Sequence, residues 1–143
     1  MPFRYLDDIA LADVAFEAEA GSPGGLFAEA WAAALAVMID EPDALRREVE
    51  RVVSLTESEL DLLLFDFLGR LVYHKDAEQL LLRAERVDVR RAAGVWSVEA
   101  TLAGERIDPS RHALGVDVKA VTLHRLSVAE TAGGWRAVVV LDV

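Results

Sequence analysis

The sequence predicts an α+β fold with two main helices and about seven to eight strands in a mixed or mostly antiparallel sheet. One segment carries apolar residues at helical spacing, several shorter runs alternate apolar and polar residues, and glycine- or proline-bearing turns separate these runs. A length of 143 residues suits one hydrophobic core. We therefore expect a single domain over residues 1–143.

Two short strands and a helix are predicted for the N-terminal part. Residues 3–6 and 13–20 have strand character, and the second run alternates apolar and polar positions as a half-buried antiparallel strand does. Ser22 and Pro23 then provide a helix cap and a proline at the first helical position. The apolar spacing extends this helix to about Ile39, and the Glu41-Pro42 pair is expected to end it.

The strongest helical pattern lies in the middle of the chain. A strand is expected over residues 48–55, followed by a capping box in which Thr56 and Glu59 bind free backbone donors of the next helix. The apolar residues of that helix recur at steps of three and four positions, so they form one continuous face. They are Leu60, Leu63, Leu64, Phe67, Leu68, Leu71 and Val72.

Strands dominate the rest of the chain. The predicted strands cover residues 81–92, 95–104, 116–124, 126–130 and 135–141. Ala93-Gly94 is expected to form the first turn and Gly133-Gly134 the last. The final strand is apolar on both faces, which places it in the interior of a sheet.

Composition limits the class of partner. The formal net charge is −10, and a protein that grips nucleic acid directly needs a cationic surface. Any link to RNA is therefore expected to run through another protein, and an acidic body would be steered towards a basic one. Without cysteine, thiol catalysis and thiolate metal sites are excluded.

No membrane segment or signal peptide is expected. Charged residues or glycine interrupt every apolar run before it reaches the roughly 18 residues that a membrane span needs. The first residues also lack a basic region followed by an apolar stretch. We therefore expect a cytoplasmic protein.

Some charged and aromatic residues have ordinary structural explanations. The arginines at 83, 86, 90 and 91 are expected on a solvated strand face, and His74 near the end of a helix, where a cation favours the helix dipole. The three tryptophans are expected in the core rather than as binding platforms. They are Trp31, Trp96 and Trp135.

The end of the chain carries the most specific motifs. A Lys-Ala-Val-Thr-Leu-His run spans 119–124, Gly-Gly-Trp occupies 133–135, and Asp142 follows an apolar run. Upstream, Asp-Pro-Ser-Arg-His spans 108–112, and Asp13 precedes Phe-Glu-Ala. In these motifs the chain closely resembles the archease family, small proteins that activate the RtcB-type tRNA-splicing RNA ligase. The resemblance implies an archease-like domain over nearly the full length.

The opening departs from the family pattern. The family's usual start resembles Asp/Glu-His-Thr-Ala-Asp, whereas the segment from Leu6 to Asp13 has no histidine and about two extra residues. Asp13 can still be matched from the residues that follow it. Asp7 and Asp8 cannot be assigned to a family position.

The resemblance implies a divalent metal site formed by Asp13, Asp142 and the terminal carboxylate of Val143. Like charges held close together repel, so such a cluster must be solvated, protonated or bridged by a cation. Oxygen ligands favour a hard ion, with Ca²⁺ as the first choice and Mg²⁺ or Mn²⁺ as alternatives. The plain alternative is that Asp142 is a hydrated residue at a strand end.

Three further positions match the family. His112 is expected to fix a loop, while Lys119 and His124 are candidates for supporting the metal ligands or contacting a partner.

The implied function is that of a protein cofactor, not an enzyme. By resemblance, the chain promotes guanylylation of an RtcB-type RNA ligase and permits repeated turnover in tRNA splicing or RNA repair. A chaperone-like modulator is a second possibility. A metal-dependent hydrolase using Asp13 and Asp142 is the third, but without an evident base, nucleophile or phosphate-binding set that site is incomplete.

Overall fold

Two long helices and eight strands form the described part of the chain. The structure is a computed structural model and describes residues 2–6 and 13–143. In chain order the elements are β1 (Phe3–Tyr5), β2 (Asp13–Ala20), α1 (Pro23–Met38), a 3₁₀ turn (Pro42–Ala44), β3 (Val49–Glu57), α2 (Leu60–Glu78), β4 (Leu80–Ala92), β5 (Val95–Arg106), β6 (Ala120–Val121), β7 (Ser127–Thr131) and β8 (Gly134–Asp142).

The strands divide between two sheets. One has the order β1-β2-β8-β6, with β7 also paired to β8, and the other has the order β3-β5-β4. Every pairing recorded between these strands is antiparallel. The predicted α+β class is confirmed, and the apolar strand β8 lies inside its sheet, with β2 on one side and β6 and β7 on the other.

Helix α1 begins as the sequence predicts. Ser22 has extended backbone angles and its hydroxyl accepts a hydrogen bond from the Gly25 N–H at 3.1 Å. The helix ends at Met38, before the Glu41-Pro42 pair, and the proline opens the 3₁₀ turn instead. The buried Trp31 indole donates to the Leu82 carbonyl at 2.8 Å, which ties α1 to β4.

The two helices meet in an aromatic cluster. Phe67 on α2 lies 5.6 Å from the ring centre of Phe27 and 5.0 Å from that of Trp31. All three side chains are almost completely buried. Aromatic pairs at such distances add to the free energy of burial.

The predicted capping box is wrong. Thr56 and Glu57 belong to β3, where they pair with Ser97 and Trp96 of β5, and Glu59 caps α2 without a side-chain hydrogen bond. Pairing of Thr56 with β5 extends the strand past the expected cap, so long-range pairing overrides the local signal.

The strand expected over 116–124 is also wrong for most of its length. Only Ala120–Val121 forms a strand. The N–H groups of Gly115 and Val116 donate to the carbonyls of Met38 and Val37, at 2.8 and 2.9 Å, at the end of α1. A Cβ on Gly115 would lie 2.4 Å from the Val37 carbonyl oxygen, so the close approach requires glycine.

The β4–β5 hairpin forms as predicted. Its turn residues Ala93 and Gly94 have φ values of 52° and 75°. Two successive positive φ values suit a two-residue hairpin, whose twist matches that of the strands.

Among the basic and aromatic positions, one expectation is wrong. Arg83 is half-buried and donates to the carbonyls of Pro42, Asp43 and Leu45, so it fixes the 3₁₀ turn; the other three arginines of this group are exposed. Trp31 is buried, whereas Trp96 and Trp135 are half-buried and meet edge to face at 6.3 Å between ring centres.

Within the described part of the chain, neither helix combines the length and the apolar character that crossing a membrane would require.

We predict that Phe67→Ala lowers the free energy of unfolding by about 3–5 kcal/mol, because it leaves a cavity against Phe27 and Trp31. Chemical denaturation measures the loss. Tyr73→Ala on the same helix is the control, because Tyr73 is half exposed and lies outside the buried cluster, against Arg70 and His74. A loss below about 1 kcal/mol for Phe67→Ala would contradict the placement.

Candidate functional site

The start of β2 and the end of β8 lie side by side at one end of these two interior strands of the five-stranded sheet. Asp13 is the first residue of β2 and lies directly opposite Asp142, the last residue of β8. On the other side of Asp142, Ala120 of β6 is its partner, and the Lys119 N–H donates to the Asp142 carbonyl at 2.8 Å. Three distant segments of the chain therefore converge here.

Both carboxylates lie on the sheet face that points away from the helices. Phe16 and Val139 are completely buried in the main core, and strand residues alternate between the two faces. Asp13 and Asp142 thus share the opposite face with the Glu19–Arg136 pair further along the same two strands. Directly opposite residues of an antiparallel pair have Cβ atoms about 4.5–5.5 Å apart.

Two carboxylates on directly opposite residues repel each other when both are ionised, and a bound cation would offset that repulsion. Unit charges about 4 Å apart repel by about 4 kcal/mol at an effective dielectric of 20. Asp142 is exposed and Asp13 half-buried, so water reduces this repulsion. Two neighbouring carboxylates of this kind are the oxygen donors that a hard cation prefers.

The third predicted ligand lies next to the pair. Val143 follows Asp142 directly, and its half-buried side chain packs against the core. Within residues 2–6 and 13–143, no group of three or more His, Cys, Asp or Glu residues is arranged to hold a metal ion. Asp7 and Asp8 lie outside the described residues. Among the described residues, any further donor to an ion at this pair would be a backbone or terminal oxygen, or water.

The three other family positions have different surroundings. His112 is buried and its Nδ1 accepts the Asp108 N–H at 2.9 Å, so it fixes the loop after β5 as expected. Lys119 and His124 are exposed. The backbone bond to Asp142 places Lys119 beside the acidic pair, while His124 lies in the turn between β6 and β7.

A buried polar network missed by the sequence analysis supports this loop. Glu105 is only 3% exposed and accepts hydrogen bonds from the Arg46 N–H and the Arg111 guanidinium. Its other oxygen lies 3.2 Å from His112 Nε2. Because His112 Nδ1 accepts a backbone N–H, the neutral ring carries its proton on Nε2, facing Glu105. The one available signal was a glutamate between an apolar strand and the 108–112 motif.

A second missed contact joins the same loop to α2. Lys75 is buried and its Nζ donates to the Asp117 carboxylate at 2.6 Å. Burial by itself would lower the pKa of Lys75, but hydrogen bonds to Asp117 and Asp76 outweigh it and raise the pKa. The loop from β5 to β6 is thus held at both ends before it reaches Asp142.

His74 lies near the end of α2, as expected, and its side chain is buried. Its Nδ1 pairs with Glu78, and Arg51 of β3 donates to the same carboxylate at 3.0 Å. Hydrogen bonds from Arg51 and then from His74 lower the pKa of Glu78 to about 2.

Comparison with known proteins decides the family. A profile of the archease protein family matches residues 3–143. The chain belongs to the archease family. It is 34% identical to Protein archease of Methanosarcina mazei over 142 residues, which cover 99% of this chain and 95% of the relative. Protein archease of Methanopyrus kandleri is 32% identical over 143 residues, and the match covers 100% of this chain and 100% of the relative.

Solved structures agree with this membership. The solution structure of Methanobacterium thermoautotrophicum protein 1598 is 28% identical, with a TM-score of 0.85 and 99% of each chain covered. The crystal structure of an archease from Thermotoga maritima, described as a possible chaperone, has a TM-score of 0.66 and covers 94% of this chain and 93% of its own. At 21% identity, that second likeness shows the archease fold alone.

We predict that this archease-family protein loses stability as the pH falls from about 4.5 towards 2. Burial alone would raise the pKa of Glu105, but the Arg46 N–H and Arg111 outweigh it and lower the pKa, and the pKa of Glu78 is about 2. Carboxyl groups with a depressed folded pKa stabilise the fold above their unfolded pKa of about 4.3 and lose that contribution in acid.

Urea denaturation at pH 7 and pH 3 measures the effect. Glu105→Gln should show a smaller difference between the two pH values than the wild type, because one of the responsible carboxyl groups is absent. An equal difference in both proteins would remove Glu105 from the explanation.

Proposed function

We propose that this chain is a divalent-metal-binding protein cofactor that activates an RtcB-type RNA ligase, and that it is not itself an enzyme. The observation that carries the proposal is the placement of Asp13 directly opposite Asp142, at the start of β2 and the end of β8. Membership of the archease family supports it, because the resemblance implies both the metal and the ligase partner.

The donor set fits a hard cation. Asp13 and Asp142 supply carboxylate oxygens on one face, and the α-carboxylate of Val143 is the proposed third ligand. Ca²⁺ takes six to eight oxygen ligands in flexible geometry, so it accepts a small protein set completed by water. Ca²⁺ is therefore proposed first, with Mg²⁺ and Mn²⁺ as alternatives. When bound, such an ion neutralises the acidic pair and offers coordination positions to oxygen atoms of a partner.

The charge of the chain supports a protein partner rather than RNA. A net charge of −10 opposes binding to a phosphate backbone but attracts a basic protein surface. We propose that the ligase is this partner and that its guanylylation and repeated turnover in tRNA splicing or RNA repair are the steps promoted. A broader role as a chaperone-like modulator, in the sense in which the Thermotoga maritima relative is described, would use the same kind of contact. The cytoplasmic location stays a prediction.

We predict that Ca²⁺ binds the wild type and that Asp142→Asn and Asp13→Asn abolish or greatly weaken this binding. Isothermal titration calorimetry with Ca²⁺ and Mn²⁺ measures the heats. Glu19→Gln is the matched control, because Glu19 lies on the same face of the same strands but opposite Arg136. Equal heats from the wild type and Asp142→Asn would remove the site.

We predict that the wild type accelerates formation of guanylylated ligase over many turnovers when it is mixed with the RtcB-type ligase of its host, GTP and Mn²⁺. Asp142→Asn should lose most of the acceleration, whereas Glu19→Gln should keep it. Labelled GTP followed on denaturing gels reports the guanylylated ligase. Absence of acceleration, together with cleavage of a phosphoester by the protein alone, would favour the hydrolase instead.

A further inference from the structure

Strand β3 is an open edge of the three-stranded sheet. Among residues 2–6 and 13–143, β3 pairs only with β5, in an unbroken register from Val49↔Gly104 to Glu57↔Trp96. Nine regular residues therefore present one row of backbone N–H and C=O groups that the sheet does not use. Such an edge is a ready template for another strand.

The opposite edge of the same sheet, strand β4, is protected against pairing with another strand. Strand β3 is therefore the edge of this sheet that is open to such pairing. Strand β4 has a register irregularity between Ala84 and Arg86, and bulges of this kind blunt an edge. The start of α1 also lies against β4, because a Cβ added to Gly24 would be 3.0 Å from the Val87 carbonyl oxygen. Neither device occurs along β3 in the described structure.

The apolar side chains of β3 are incompletely covered. Val52 on the outer face is 72% exposed, the largest exposure among the large hydrophobic residues of the described chain. Val49 and Leu55 pack against the core but are only half-buried. A strand added opposite Val52 and Leu55 would cover part of their surface.

The charges along β3 would face opposite charges if two copies of the strand paired antiparallel. Arg51 and Glu57 lie on the same face, on either side of Ser54 and three residues from it. The Arg51 guanidinium already donates to Glu78 of α2, so a contact with Glu57 of another chain would be a second carboxylate contact for it. Glu57 also lies next to another acid, Asp66 of α2. Burial raises the pKa of Asp66, and a hydrogen bond with Glu57 and repulsion from it raise that pKa further. A cation placed opposite Glu57 would relieve this crowding of carboxyl groups.

We propose that β3 pairs antiparallel with β3 of a second copy of this chain, about a two-fold axis at Ser54, which joins the two three-stranded sheets into one of six strands. In this register, Arg51 lies opposite Glu57 of the second copy, and the reverse contact repeats it. Val53 lies opposite Leu55, and Val52 opposite Thr56. Opposite charges and β-branched or apolar pairs across an antiparallel ladder are stabilising.

Neighbouring registers are less favourable. An axis at Val53 places Arg51 opposite Leu55 and Val49 opposite Glu57, so each charge faces an apolar residue. An axis at Val52 places Arg51 opposite Val53. Only the axis at Ser54 matches both charges and apolar residues along the strand.

The interface is small, so the dimer should be weak. This register pairs seven residues of each strand, Arg51 to Glu57, which falls at the low end of interface sizes, where association is transient and depends on concentration. The proposed interface is in the three-stranded sheet, whereas Asp13 and Asp142 are in the five-stranded sheet. The proposed dimer therefore does not rest on the proposed metal or ligase function.

Cysteine cross-linking tests the register directly, because the chain contains no cysteine. The axis places the two copies of Ser54 opposite each other, within the Cα separation of about 4.4–6.8 Å that a disulfide accepts. Ser54→Cys should therefore form a disulfide-linked dimer under mild oxidation at least about tenfold faster than Val52→Cys, whose partner across the axis is Thr56. Val52 is the matched control, on the same exposed face two residues away.

Charge reversal gives an independent readout. Arg51→Glu and Glu57→Arg should each lose the dimer in sedimentation equilibrium, because like charges then face each other. An equimolar mixture of the two variants should regain it, since both contacts of the mixed dimer pair opposite charges. Circular dichroism confirms that each variant is folded; if Arg51→Glu is not, the cross-linking rates decide alone.

The proposal is overturned if Ser54→Cys and Val52→Cys cross-link at the same slow rate. Cross-linking of Val52→Cys in preference to Ser54→Cys overturns the register and with it the proposed dimer. A wild type that stays monomeric up to about 1 mM would also overturn it, since a standard weak interface would associate there.

Discussion

The antiparallel ladder between β2 and β8 is the constraint on which the rest of the structure depends. It runs over eight residue pairs from Asp13↔Asp142 to Ala20↔Trp135 and joins the beginning of the chain to its end. Phe16 and Val139 face the core from these strands, so a slip of one residue in their pairing would turn one of them away from it. The close approach of Gly134 to the Ala20 carbonyl oxygen further limits the register, because a Cβ there would lie 2.3 Å away. Packing of the core thus also brings the two acids together.

Local patterns predicted most of the elements, and long-range contacts explain the exceptions. The helical face of α2, the start of α1 and the β4–β5 turn depend on spacing and on residues with known conformational preferences, so the sequence was sufficient for them. Thr56 was assigned to a cap because its strand partner Ser97 lies 41 positions away, beyond any local window. Residues 116–119 have strand character, but just before them the N–H groups of Gly115 and Val116 donate to carbonyls at the end of α1. The adjacency of Asp13 and Asp142 came from family resemblance, since no local pattern relates the two positions. The Glu105 network depends on Arg46 and was equally out of reach.

The candidate site depends on polar anchors some distance from it. The loop from β5 to β6 carries few regular backbone bonds, so it relies on side chains for order. Glu105, Arg111 and His112 fix its start, and Lys75 holds Asp117 near its end. Breaking either anchor would leave a buried charge without its partner, which costs more than an exposed pair would contribute. The chain therefore arrives at β6, beside Asp142, from a fixed direction.

The edge-to-face contact between Trp96 and Trp135 lies between the two sheets, since Trp96 belongs to β5 and Trp135 to β8. Two indoles held at a fixed angle in a partly buried contact couple optically and give a near-ultraviolet circular dichroism signal that free rotation would average away. Loss of docking between the sheets, even with both ladders intact, would abolish that signal. The Trp96–Trp135 pair therefore reports, without any added label, whether the two sheets are docked.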